Sequence, residues 1–228
     1  MKKFDFSKKI EEAIEKKHKP SNDTICKLCG EVKSIVHQRK SKNIYRRAFS
    51  ELKLHEMNIV FEKGYSYHFM SGGDIDFFSY VKLILKITKI DYLILSTWCM
   101  AMDDVLALEE CVERKDISDM DVYAGEIFPG SYPAVYAKLL EMQKKTEGRL
   151  CIFRNHSKIA VVFCTGNYFV IESSANINTN PRTENTTIHV GDRGLASFYK
   201  DFFDEINDIY HKDEGWKKWR EDAVSRQP

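Results

Sequence analysis

Residues 154–185 read RNHSKIAVVFCTGNYFVIESSANINTNPRTEN, and the fold turns on how this stretch is read. Two β-rich runs, SKIAVVF and YFVIES, are joined by Thr165, Gly166 and Asn167, residues suited to a tight turn. Residues two apart on a strand share a face, so the sequence predicts that His156 and Lys158 leave the same side of the first strand. After the second strand, Ser174 and Asn176 repeat that spacing, and Glu184 follows in a polar loop. If the two strands pair as a hairpin, an imidazole, an ammonium, a hydroxyl and an amide converge.

Such a set suits a phosphodiester. Its anionic oxygens need a fixed cation and neutral donors, which Lys158 and Asn176 can supply without a metal. An imidazole beside them can attack phosphorus or protonate a leaving oxygen, and a carboxylate such as Glu184 can fix its tautomer. Each piece alone is ordinary, since a Ser-Ser-Ala-Asn turn is common loop chemistry. The order and separation of the pieces carry the reading.

Working outward, the runs RLCIFRN and TTIHVG flank the hairpin as further strands. Upstream, helices alternate with short apolar strands. GGDIDFFSYVKLILKIT starts from Asp74 as an expected N-cap and continues at helical spacing, DYLILSTW is a buried strand, MDDVLALEECVERK a helix, DVYAGEIF a strand, and SYPAVYAKLLEMQKK a helix. GLASFYKDFFDEINDIYHK closes the pattern as an amphipathic helix expected to bury Leu195, Phe198, Phe202, Ile206 and Ile209. This is the rhythm of an α/β protein with a mixed sheet flanked by helices, over residues 57–228. No internal repeat supplies a second copy of the motif.

Residues 1–56 differ in character, being Lys-rich and without strong strand signal. Cys26 and Cys29 form a CxxC pair flanked by His18 and His37, a set with two readings: half of a structural zinc site, or two reduced cysteines in a loop. Arg39, Lys40, Lys42, Arg46 and Arg47 form a basic stretch with Tyr45 and Phe49 among them, which reads either as a nucleic-acid contact or as a solvated helix face.

Composition bounds the rest. Apolar residues make up 43% and charged residues 30% of 228, the balance of a globular chain. A net charge of +1 neither requires nor forbids a polyanionic partner. The apolar runs are broken by charges well before the roughly 20 residues of a bilayer span. The start, MKKFDFSKKIEEAIEKK, has no apolar core of a secretory signal, so a cytoplasmic protein with reduced thiols is expected, with no membrane association.

The residues His156, Lys158, Ser174, Asn176 and Glu184 resemble the signature of the phospholipase D superfamily: His-x-Lys, then Gly-Ser-x-Asn, then Glu. The resemblance spans roughly Tyr65 to Ile209 and implies a phospholipase D-like mixed sheet. It also implies a phosphohistidine mechanism with no catalytic cofactor. Single-motif members complete their site as two-fold dimers, so it implies a homodimer with both copies of His156 facing each other. Two positions depart from the pattern: Phe163 stands where the family has Asp, and Ser173 where it has Gly. The resemblance leaves three readings: a nuclease acting on DNA or RNA, a non-catalytic nucleic-acid-binding module with a degenerate site, and a phospholipid phosphodiesterase, the last disfavoured by the lack of an insertion helix. His211, Lys212 and Asp213 spell HKD but lack the spacing of the motif.

Overall fold

The computed structural model describes residues 51–177 and 182–211. Seven strands form one mixed sheet: β1 (Ser66–Ser71), β2 (Ile90–Thr97), β3 (Ile117–Gly125), β4 (Leu150–Phe153), β5 (Ile159–Cys164), β6 (Asn167–Ser173) and β7 (Glu184–Val190), in the spatial order β1-β7-β6-β5-β2-β3-β4. The pairs β2/β3 and β3/β4 are parallel, and β2/β5, β5/β6, β6/β7 and β1/β7 are antiparallel. The helices are α1 (Phe77–Leu85), α2 (Met102–Glu113), the single turn α3 (Phe128–Ser131), α4 (Pro133–Gln143) and α5 (Arg193–His211). Parallel neighbours need a crossover, and α2 and α4 provide it.

The central strands are apolar on both faces because both faces are covered. On β5, Ala160, Val162 and Cys164 join a core that includes Phe77 and Ile84 of α1, Val105 and Leu108 of α2, and Leu139 of α4. Ile159, Val161 and Phe163 point the other way, into a smaller core against Ala196, Phe203 and Ile206 of α5. The architecture is therefore a sheet between two helical layers, the mixed α/β fold expected from the sequence.

Four details differ from the sequence reading. The cap of α1 is Asp76, whose carboxylate accepts from the Ser79 amide at 2.8 Å and the Ser79 hydroxyl at 2.9 Å, while Asp74 pairs with Lys53. On α5 the buried stripe runs through Ala196, Phe203 and Ile206, with Tyr199 and Tyr210 packed beside them, leaving Phe198 and Phe202 exposed. Its rotation is set by polar ties, Tyr199 to Glu172 and Asp204 to Arg149, which a hydrophobic count does not register. Residues 51–56, assigned on sequence to the N-terminal segment, are helical, and Leu54 is buried in the larger core. The edge strand β1 escaped the sequence reading: in its run SYHFMS, Tyr67 and Phe69 pack on the larger core while Ser66, His68 and Met70 face solvent.

Arg149 fastens the smaller core. Its Nε donates to Asp121 at 2.6 Å, its amide donates to the other carboxylate oxygen at 2.7 Å, and its guanidinium also pairs with Asp204 of α5. Tyr92 donates to Asp121 at 2.6 Å. Burial disfavours the charged Asp204 carboxylate, but hydrogen bonds from Lys200 and Arg149 outweigh it and hold the group below its ordinary value.

Candidate functional site

Strand direction gathers the candidate residues. β2, β3, β4 and β6 end, and β5 and β7 begin, at the same edge of the sheet. The carboxyl edge of parallel strands is where open α/β sheets place ligands.

His156 and Lys158 are not on a strand. They lie in the extended segment between β4 and β5, immediately before Ile159. An irregular segment there has no ladder to fix it, and Asn155 does so instead. Only 5% exposed, its amide nitrogen donates to the Ser96 hydroxyl at 2.8 Å and to the Tyr123 carbonyl at 2.8 Å. Its side-chain oxygen accepts from the Ser157 amide at 2.9 Å and the Ser157 hydroxyl at 2.7 Å. Ser157 in turn shares a hydrogen bond with Ser96 at 2.6 Å. Asn155 thereby ties the tips of β2 and β3 to the loop carrying His156. Sequence reasoning missed it; the only signal was its place beside His156.

The two strands do pair as a hairpin, with Ile159 opposite Glu172 and the Ser173 amide donating to the Lys158 carbonyl at 3.0 Å. This places Ser174 beside the His156–Lys158 segment. β7 then brings Glu184 to Ser174: the Ser174 hydroxyl donates to the Glu184 carboxylate, accepts from the Asn185 amide at 3.0 Å, and the Ser174 amide donates to the Asn185 carbonyl at 3.0 Å. Glu184, expected in a loop, is the first residue of β7 and is buried. Its hydrogen bond goes to Ser174 and not to His156. Asn176 accepts from the Phe77 amide at the start of α1 through its carbonyl, at 3.3 Å, and its side-chain oxygen is buried without a hydrogen-bond partner.

Lys158 is the electrostatic centre. It is 7% exposed, its Nζ donates to the His156 carbonyl at 2.6 Å, and it lies 3.0 Å from His156 Nδ1. An ammonium only donates, so the nearer ring nitrogen accepts. Burial pulls its pKa below the ordinary value; the charges of Cys99 and Glu184 only partly offset this. Among the described residues, Lys158 has no carboxylate within ion-pair distance.

Trp98 ends the run DYLILSTW, which the sequence reads as a buried strand. It is instead 37% exposed, its indole centroid 5.4 Å from that of His156 with the planes inclined at 47°. Gly125 permits this approach: a Cβ there would meet the Trp98 carbonyl at 2.4 Å and the indole Cδ1 at 2.9 Å. Thr97 and Cys99 on either side are buried, the Thr97 hydroxyl donating to the Cys99 carbonyl at 3.0 Å.

The two departures from the motif have local explanations. Ser173 has no left-handed backbone that would call for glycine, and its hydroxyl bonds Thr186 Oγ1 at 2.7 Å and accepts from the Ala175 amide at 3.0 Å. Phe163 lies at the far end of β5, roughly 16 Å along the strand from Lys158 at the usual rise. It faces the α5 layer and stacks on Tyr92, with centroids 5.5 Å apart. Neither residue touches His156.

Cys26, Cys29, His18 and His37, and the basic residues Arg39, Lys40, Lys42, Arg46 and Arg47, lie outside the described residues. Among the described residues, Cys99, Cys111, Cys151 and Cys164 are buried, and no helix is long and apolar enough to cross a membrane.

No protein-family model and no curated protein matches the sequence. Solved structures similar to this chain include polyphosphate kinase from Porphyromonas gingivalis (TM-score 0.46, 13% identity, covering 60% of this chain and 25% of the other). NucT from Helicobacter pylori is similar at TM-score 0.49 and 12% identity, covering 63% of this chain and 96% of NucT. TrmBL2, an archaeal chromatin protein, is similar at TM-score 0.42 and 15% identity, covering 80% and 66% respectively. The chain thus spans a quarter of the kinase's length. His156, Lys158, Ser174, Asn176 and Glu184, carried on one edge of a mixed α/β sheet, are what make this chain resemble the phospholipase D superfamily.

Proposed function

We propose that this chain is a metal-independent phosphodiesterase acting on nucleic acid, DNA or RNA, through a phosphohistidine on His156. The observation that carries the reading is Lys158: a buried ammonium without an ion pair among the described residues, beside an exposed histidine. A buried cation is costly unless compensated, and the phosphate of a substrate is the compensating anion.

The phosphate takes its place against Lys158, with Asn176 as a neutral donor and Ser174 supporting the turn. Drawing Lys158 onto the phosphate releases the imidazole from the hydrogen bond that occupies Nδ1. A ring nitrogen then attacks phosphorus, a P–N bond forms, and the P–O bond to the leaving group breaks with its proton supplied by a second imidazole. Water afterwards cleaves the P–N bond and returns the free histidine.

That second imidazole comes from a second copy of the chain. Among the described residues no other histidine bonds to or packs on His156: His68 is bonded to Thr187, and His189 to Ser66 and Glu172. A two-fold dimer with facing His156 residues supplies nucleophile and acid from one motif. Glu184, engaged by Ser174 within its own chain, orients an imidazole only once the copies face each other. The basic stretch Arg39 to Arg47 favours nucleic acid over a lipid headgroup.

The test is cleavage of labelled DNA and RNA in chelator by the parent and by His156→Ala, with sedimentation of both. The reading expects a dimer, cleavage by the parent, and a loss of about 10³-fold or more in the variant. Binding without cleavage by the parent assigns the chain to the non-catalytic reading, and a strict monomer removes the shared site.

A further inference from the structure

The indole of Trp98 has no role in the chemistry above, yet it stands at the mouth of the site. It is the first residue after β2, it is 37% exposed, and its neighbours Thr97 and Cys99 are buried. A glycine at the end of β3 keeps open the space it occupies, since a Cβ at Gly125 would run into its carbonyl and its ring. An aromatic ring held by its backbone, open to solvent on one side and 5.4 Å from the attacking imidazole, is placed within one nucleotide of any phosphate that His156 reaches.

We propose that Trp98 is a stacking platform for the nucleobase next to the scissile phosphate, and that the site therefore selects unpaired strands, single-stranded DNA or RNA, over duplex. The inference rests on the phosphodiesterase reading and names the substrate class of the same site. Every base presents a π-face, so a single indole recognises strand state without reading sequence. In a duplex the bases are stacked on one another, and a base must leave that stack before it meets Trp98. The inclination of 47° between indole and imidazole leaves the indole face free of a parallel stack with His156. Trp98 is a specificity residue, separate from His156 and Lys158, which act on the phosphate itself.

The experiment compares binding of a labelled single strand with a strand of equal length whose bases are absent, the sugar-phosphate backbone being intact. It uses the full chain with His156→Asn, so that the strands survive, carrying Trp98, Trp98→Phe or Trp98→Ala. Trp98→Ala is expected to weaken the base-bearing strand about tenfold while leaving the abasic strand unchanged, and Trp98→Phe to retain most of the affinity. Base-bearing strand, and not abasic strand, is expected to quench the fluorescence that Trp98→Phe removes, a readout that needs no alanine variant to fold. Equal weakening of both strands, a shift from dimer to monomer in Trp98→Ala, or no change in either strand overturns the stacking role while the phosphate reading stands. Failure of the Trp98 protein to bind either strand overturns the nucleic-acid reading and the stacking role with it.

Discussion

The Nζ of Lys158 lies 3.0 Å from Nδ1 of His156 and 2.6 Å from the same residue's carbonyl oxygen, so among the described residues the cation of the site is held by His156 and by no carboxylate within ion-pair distance. In the proposed function such an arrangement trades stability for anion binding, because the ammonium is buried with its charge only partly offset. Lys158→Met is expected to raise the unfolding free energy by about 1 kcal/mol or more while abolishing phosphate affinity. Urea unfolding and a titration with inorganic phosphate check the two halves, and a destabilised Lys158→Met contradicts the trade.

The same relationship fixes a pH dependence. Burial holds the folded Lys158 below its ordinary value of 10.5, so the unfolded chain binds the proton more tightly. Stability then rises with pH between the lowered folded value and 10.5, and the cost of burying the cation is complete below that interval. The advantage of Lys158→Met over the parent should shrink as pH climbs towards 10.5. Melting temperatures of both proteins across the alkaline range test this, and an advantage that grows with pH has the wrong sign.

Gly125→Ala places a methyl group 2.4 Å from the Trp98 carbonyl, and backbone atoms cannot swing aside as a flexible side chain can. The expected cost is about 1–3 kcal/mol, with a change in Trp98 fluorescence because the indole must move. An alanine variant of parental stability and spectrum would mean that the approach of the two strand ends is looser than described.

Arg149→Met removes the cation from Asp121, whose side chain is 2% exposed. The hydroxyl of Tyr92 remains as a partner, but the charge does not. A loss of roughly 3–5 kcal/mol is expected from leaving the buried carboxylate uncompensated. Asp121→Asn combined with Arg149→Met should recover part of it, and a double variant as unstable as the sum of the singles contradicts this coupling.

Restoring the family's residues should not help this chain. Ser173→Gly loses the hydroxyl bonds to Thr186 and Ala175 at a cost of about 1 kcal/mol, and Phe163→Asp breaks the stack on Tyr92 and places a carboxylate against the smaller core. Both variants should melt below the parent, with no gain in the proposed strand cleavage. A rise in turnover from Phe163→Asp would show that the position reaches the site after all.

The hairpin of β5 and β6 was legible because its cue is local: two β-rich apolar runs, a Thr-Gly-Asn turn, and a polar residue at each end. The placement of the candidate residues was legible for the same reason, since His156, Lys158, Ser174 and Asn176 flank that hairpin. Less legible were features set by the tertiary structure. Asn155 is an unremarkable letter in sequence, and its three elements meet only when β2, β3 and the loop converge. Trp98 sits in a run that reads as a buried strand; its exposure follows from the end of β2 and from Gly125, 27 residues away in sequence. The rotation of α5 escaped the apolar count because Tyr199, Asp204 and Arg149 decide it.

In the proposed reaction His156 becomes covalently bonded to phosphorus. Its most direct measurement is mass spectrometry of the parent mixed with a short single strand in chelator and quenched in alkaline denaturant, conditions that preserve a P–N bond. A strand fragment attached through phosphate to the peptide bearing His156 is expected, and is absent from His156→Ala. Cleavage of the strand with no adduct at His156, or an adduct on another residue, would contradict it.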